Sequence, residues 1–120
     1  MCLFCNVNKP YLYEDAHVFA IYDQFPVSKG HVLIITKNHR NDYFEITSEE
    51  AASIHKAIKA MKKTLDDTYQ PQGYNIGVNN GEASGQTISH LHVHLIPRYT
   101  HDMEDPRGGV RGVIPEKQKY

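Results

Sequence analysis

The run His90-Leu91-His92-Val93-His94-Leu95-Ile96-Pro97-Arg98 alternates imidazoles with aliphatic side chains. Successive strand residues point to opposite faces. A strand here therefore sets His90, His92 and His94 on one face and Leu91, Val93 and Leu95 on the other. Neutral imidazole is a nucleophile, a general acid or base and a metal ligand near pH 7. One histidine on a strand face is ordinary, but three in strict alternation call for chemistry. Two chemistries fit. His-x-His on a strand offers two ligands to one metal ion. The alternative is nucleophilic catalysis at phosphorus, one imidazole attacking while its neighbours supply protons and charge.

The residues before the run bear on that choice. Asn79-Asn80-Gly81-Glu82-Ala83-Ser84-Gly85-Gln86-Thr87 is a small polar loop rich in backbone, hydroxyl and amide donors. Such a loop can cradle a phosphate or stabilise charge developing on one. Gly81 and Gly85 let the backbone approach a ligand closely.

Further out, Val18–Tyr22 reads as a strand ending at Asp23, and Gln24–Gly30 as a turn with Pro26, Ser28 and Gly30. His31–Thr36 is a β-branched run, expected as a buried strand antiparallel to the first. Thr47 and Glu50 form a capping-box signature. Behind them Ala51, Ile54, Ile58, Met61 and Leu65 recur at helical spacing, predicting an amphipathic helix that ends before Pro71. Gly73–Asn79 reads as a strand, and the histidine strand is placed from about Ile88 to Ile96. From Thr100 the chain is polar and lacks strong periodicity. This order, without βαβ spacing, predicts α+β with an antiparallel sheet.

The chain has 120 residues, one domain's worth, with hydrophobic content of 40% and charged content of 22%. A formal net charge of −1 gives no reason to expect a nucleic-acid polymer or an anionic membrane as partner. The longest aliphatic run, Val32–Ile35, stops at Thr36 and Lys37, far short of a membrane span. The first residues lack a signal-peptide pattern, and two cysteines do not make a disulfide scaffold. The expectation is a cytoplasmic protein.

Gly85-Gln86-Thr87-Ile88-Ser89-His90-Leu91-His92-Val93-His94-Leu95-Ile96-Pro97-Arg98 resembles the signature of the histidine triad (HIT) family of nucleotide hydrolases and transferases. Cys2-Leu3-Phe4-Cys5, Tyr13-Glu14-Asp15 and Pro26 through Lys37 also look like that family, in the expected order. The resemblance covers about residues 1–100. It implies a single HIT domain over 1–120 with a tail at 101–120, built as an antiparallel sheet of about five strands with one long helix across it. It further implies a homodimer.

The resemblance also implies roles. His92 is the nucleophile, attacking the α-phosphorus of a nucleoside phosphate derivative to give a covalent nucleotidyl-histidine that water then hydrolyses. His94, Gln86 and Thr87 contact the phosphoryl group and the leaving-group side. Asn79 lies in the same pocket, and Asp23 accepts both ribose hydroxyls. Leu3, Phe4, Val7 and Ile21 form the base pocket, with a purine as the preferred base. His31 sits beside the active site in some relatives, implying a supporting role. The substrate class spans dinucleoside polyphosphates and nucleoside phosphoramidates. A phosphorylase or transferase variant of the same intermediate is an alternative. A nucleotide-binding or scaffold protein with vestigial activity is another, from a different class. Arg107 and Arg111 in the tail are read as solvated.

Cys2-x-x-Cys5 lacks the βαβ context of a redox motif. The resemblance implies that Cys2, Cys5, His39 and His90 hold a structural zinc, a Cys2His2 set suited to a closed tetrahedral site. No catalytic metal or organic cofactor is expected.

Overall fold

The computed structural model describes residues 2–120. Its β-branched and aromatic runs form five strands: β1 (Tyr13–Glu14), β2 (Val18–Tyr22), β3 (Val32–Thr36), β4 (Gly73–Gly77) and β5 (His92–Arg98). They make one sheet in the order β1-β2-β3-β5-β4, every neighbouring pair antiparallel. One long helix, α1 (Ser48–Tyr69), lies across it, so the α+β expectation holds.

The helix begins where the capping box places it. Thr47 accepts from the Glu50 N–H, and the Glu50 carboxylate accepts from the Thr47 N–H. It ends at Gln70, whose left-handed backbone precedes Pro71. Ile54, Ala57, Met61 and Leu65 are buried along one stripe against Val18, Ala20, Val32, Ile34, Leu91, Val93 and Leu95. The opposite sheet face carries a smaller cluster of Phe19, Ile21, Leu33 and Ile35, over which the N-terminal Phe4 folds.

The histidine strand starts later than its alternation predicts, at His92 rather than about Ile88, and runs on to Arg98. The Leu91 N–H donates to the Arg40 carbonyl at 2.7 Å instead of to a strand. Arg40 is itself held by buried Glu50, with Nε 2.9 and 3.1 Å from the two carboxylate oxygens. His90 therefore stands before the ladder, fully buried, and the three imidazoles occupy two environments. β4 also ends early, at Gly77 rather than Asn79. The tail forms two 3-10 turns, Gly109–Val113 and Pro115–Lys117. Arg111 closes that tail on itself, donating to the Lys117 and Gln118 carbonyls with its guanidinium 4.8 Å from the Tyr120 ring.

Candidate functional site

Register brings the site together. Leu33 pairs with His94 and Ile35 with His92, so both imidazoles project from the face opposite α1. The same parity carries Ile21 to Asp23 and Leu33 back to His31. Over this face lies a cleft of about 610 Å³. Its apolar wall includes Leu3, Phe4, Val7, Ile21, Leu33 and Ile88, and its polar wall includes Asp23, Asn79, Thr87, His31, His92 and His94. Of the residues expected at a phosphate or base, only Gln86 is absent from the lining. Its Oε1 accepts from the Gly81 N–H at 2.8 Å, and its Nε2 donates to the Asn41 and Ile88 carbonyls at 2.6 and 3.0 Å. Those bonds spend the amide on holding the loop, and Gly85 and Thr87 beside it reach the cleft.

Hydrogen-bond partners assign the imidazole tautomers. His92 Nδ1 is 2.9 Å from the His90 carbonyl, which can only accept, so Nδ1 carries the proton and Nε2 keeps its lone pair. The Val27 N–H donates to His31 Nδ1 at 3.1 Å, which puts the His31 proton on Nε2. That proton points to His94 Nδ1, 3.0 Å away, and leaves His94 with a donor at Nε2. The cleft thus holds one imidazole lone pair beside one imidazole N–H. Burial pushes His94 down to about 4, with His92 and His31 adding to the shift, so it is neutral at pH 7. Burial also lowers His31, opposed by the Asp23 carboxylate 3.4 Å away.

Asp23 follows β2 directly and opens the turn to His31. Its Oδ1 accepts from the Phe25 N–H at 2.8 Å, and its own N–H donates to the His31 carbonyl at 2.9 Å. Gly30 closes the turn at φ +86°, where a Cβ would press on the Tyr69 ring at 2.9 Å. Glycine is required there by both backbone and space.

A second cluster lies at the N-terminal end of β5. The ligand atoms of Cys2, Cys5, His39 and His90 all fall within 4.8 Å of one another. Sulfur–nitrogen separations are 3.2 Å for Cys2–His90, 3.3 Å for Cys5–His39 and 3.5 Å for Cys5–His90. A zinc tetrahedron with Zn–S ~2.3 Å and Zn–N ~2.0–2.1 Å has an S–N edge of roughly 3.6 Å. His90 Nε2 is 2.8 Å from the Thr36 carbonyl, so its proton lies there and Nδ1 presents a lone pair to the sulfurs. This is the bond a metal-ligating histidine needs from its second nitrogen. Asp23, His31 and His94 also lie close enough to hold an ion. There the Val27 N–H blocks His31 Nδ1 and keeps a proton on Nε2, between the three groups. That trio suits a proton and the sulfur cluster suits a metal.

The HIT domain family model matches residues 6–101. The chain belongs to the HIT family. A crystal structure of a HIT family protein from Bacillus anthracis is 41% identical, with TM-score 0.77, over 82% of this chain and 73% of that one. A zinc-bound histidine triad family protein from Mycobacterium smegmatis is 30% identical, with TM-score 0.77, over 87% of this chain and 79% of that one. Adenosine 5'-monophosphoramidase hnt1 of Schizosaccharomyces pombe is 35% identical over 102 residues, covering 81% of this chain and 74% of it. Hydrolases are thus among the HIT relatives of this chain, and the antiparallel sheet with one long helix is the architecture it shares with the solved HIT family structures.

Asn8, Lys9, Phe25 and Val27 line the cleft as well. They lie in aperiodic segments, so no spacing marks them. His31 is different: the alternation His31, Leu33, Ile35 puts it on the face of the β5 imidazoles, a signal readable once β3 pairs with β5.

Proposed function

We propose that this HIT protein hydrolyses nucleoside phosphate derivatives at the α-phosphorus, through a nucleotide carried on His92. The observation that carries the reading is the His92–His90 carbonyl bond, which frees the Nε2 lone pair in a side chain lining the cleft. In the first step Nε2 attacks phosphorus, the P–N bond forms, and the bond to the leaving group breaks. His94 Nε2–H donates to a phosphoryl oxygen or to the departing group, with Thr87 and the Gly85 region nearby. In the second step water attacks phosphorus and gives up a proton to solvent, the P–N bond breaks with its electron pair returning to Nε2, and His92 returns as neutral imidazole. Dividing one displacement into two lowers each barrier.

Asp23 receives the ribose hydroxyls, and Leu3, Phe4, Val7 and Ile21 take the base, with a purine as the best fit to an apolar slot. The phosphoramidase relative supports a phosphoramidate or related P–N or P–O–P substrate. Zinc at Cys2, Cys5, His39 and His90 has a structural role, fastening three chain segments. A homodimer completes the reading, with Ile76 on the β4 edge beside exposed Val110 and Val113 as the contact. Paired free thiols fit a reducing compartment, and the cytoplasm is the proposed setting.

The deciding experiment assays diadenosine polyphosphates, adenosine phosphoramidate and phosphate-dependent phosphorolysis with wild type and His92→Ala. Turnover in the variant should fall by several orders of magnitude, while adenosine monophosphate still binds. Near-normal turnover would remove the nucleophile assignment. Phosphorolysis faster than hydrolysis would replace water as the acceptor.

A further inference from the structure

Residues 2–5 serve two places at once. Cys2 and Cys5 are half of the sulfur–imidazole cluster, while Leu3 and Phe4 between them line the cleft. The Phe4 ring lies 5.0 Å from the His92 ring and 6.1 Å from the His90 ring, centroid to centroid. Among the described residues, no backbone hydrogen bond joins residues 2–11 to the sheet or the helix. The polar ties of residues 2–10 to the rest of the protein are the three sulfur–imidazole contacts. Without them this wall rests on apolar contact alone, chiefly Phe4 and Val7.

We infer that Cys2 and Cys5 form a peroxide-oxidised pair whose disulfide state releases the N-terminal wall of the cleft and weakens binding of the nucleotide base. The inference rests on the readings of the cleft as a nucleotide site and of the cluster as a zinc site. Cys5 is exposed and Cys2 half-buried, so Cys5 meets a solvent oxidant first. The Cys5 thiolate attacks the peroxide O–O bond, an S–O bond forms, and hydroxide leaves. The Cys2 thiolate then displaces a second hydroxide from the sulfenic sulfur and closes the disulfide. Two electrons pass from the sulfur pair to one peroxide, giving two hydroxides. A cation that shared four donors keeps only His39 and His90 and is lost. Sulfurs joined to each other no longer hold residues 2–5 to those imidazoles, so the wall loosens. A dithiol reductant with added zinc reverses the change.

The test takes reduced, zinc-loaded protein through a hydrogen peroxide titration. It reads free thiols, zinc released to a chromogenic chelator, and binding of adenosine monophosphate and of ribose 5-phosphate. Expected results are loss of both thiols, release of about one zinc per chain, and roughly tenfold weaker adenosine monophosphate binding. Ribose 5-phosphate, which has no base to touch the wall, should change by less than about twofold. Dithiothreitol plus zinc should restore all of these. A Cys2→Ser/Cys5→Ser variant should bind adenosine monophosphate weakly from the start and ignore peroxide. Zinc release with unchanged nucleotide affinity overturns the coupling, and thiols that resist peroxide overturn the oxidation step. If reduced, loaded protein does not bind adenosine monophosphate, the nucleotide reading of the cleft fails and takes the inference with it. If the protein never takes up zinc, the metal reading fails in the same way.

Discussion

His31 Nε2 stands 3.0 Å from His94 Nδ1, and the Val27 N–H on the far side of His31 decides which nitrogen carries the proton. The backbone of one turn thereby sets the tautomer of an imidazole two strands away in sequence. His31 is buried and does not need to touch substrate to matter. Its proposed role is to orient His94.

Removing that donor should cost turnover more than binding. In His31→Ala the His94 Nδ1 loses its partner, and the ring is free to present a lone pair where a donor is needed. A fall in kcat of roughly 10²-fold is expected, the size of one general acid's contribution. Adenosine monophosphate affinity should move by less than about threefold. His31→Gln, which keeps an N–H donor, should recover part of kcat. Equal losses in kcat and affinity, with no recovery in the glutamine variant, would mean that His31 only fills space.

The low His94 value predicts a pH dependence with a definite sign. Its pKa falls from 6.5 to about 4 on folding, mainly through burial. Between those values the unfolded chain takes up a proton that the folded protein refuses, so stability rises with pH across the window. The contribution is complete above about pH 6.5 and lost towards pH 4, with an upper bound of about 3 kcal/mol. His31, also lowered by burial, acts in the same direction. Urea unfolding at several pH values should show the decline, and a shallower one in His94→Asn. Identical slopes in the two proteins would refute the assignment.

Asp23 offers a sharper binding test. One oxygen already accepts from the Phe25 N–H, and the other lies 3.4 Å from His31, so the proposed ribose contact would share a carboxylate that the turn has oriented. Charge-assisted bonds contribute about 1.5–3 kcal/mol each, less in a wet cleft. Asp23→Ala should weaken adenosine monophosphate binding measured by calorimetry and leave the 2′,3′-dideoxy analogue nearly unchanged. Equal weakening of both ligands would place the effect in the turn rather than at the ribose.

Much of this was legible because the signals are periodic. Alternation at His92–Leu95 marks a strand buried on one face, and helical spacing from Ile54 to Leu65 marks α1. The start of β5 was not legible. The peptide of Leu91 is captured by the Arg40 carbonyl, an interaction between residues far apart in sequence that no local pattern encodes. That capture separates His90 from its two fellows and gives it to the cysteines. For Gln86 the family resemblance implies a phosphate contact, and in the structure its amide bonds to Gly81, Asn41 and Ile88. The short β1 and the tail turns are held by register and by Arg111, neither of which leaves a periodic mark.

The metal cluster draws its four donors from three segments: the N-terminus, the loop after β3 and the approach to β5. One ion there would fasten all three, and its binding free energy would become folding free energy. Protein purified without chelator should contain about one zinc per chain, with distances from X-ray absorption fine structure of ~2.3 Å to sulfur and ~2.0–2.1 Å to nitrogen. Chelation should lower Tm by at least about 5 °C, since 1 kcal/mol shifts a domain of this size by roughly 4 °C. His39→Ala should lose zinc more readily than wild type, because its partner Cys5 is exposed and the site would be left open to water. His90 is the more demanding position. Its Nε2–H is anchored on Thr36 and its backbone carbonyl holds His92 Nδ1, so the ion and the proposed nucleophile share one residue. Zinc removal should therefore slow turnover even where adenosine monophosphate still binds. A chelated protein with unchanged Tm and no metal by elemental analysis would leave His90 as an orienting residue for His92 alone.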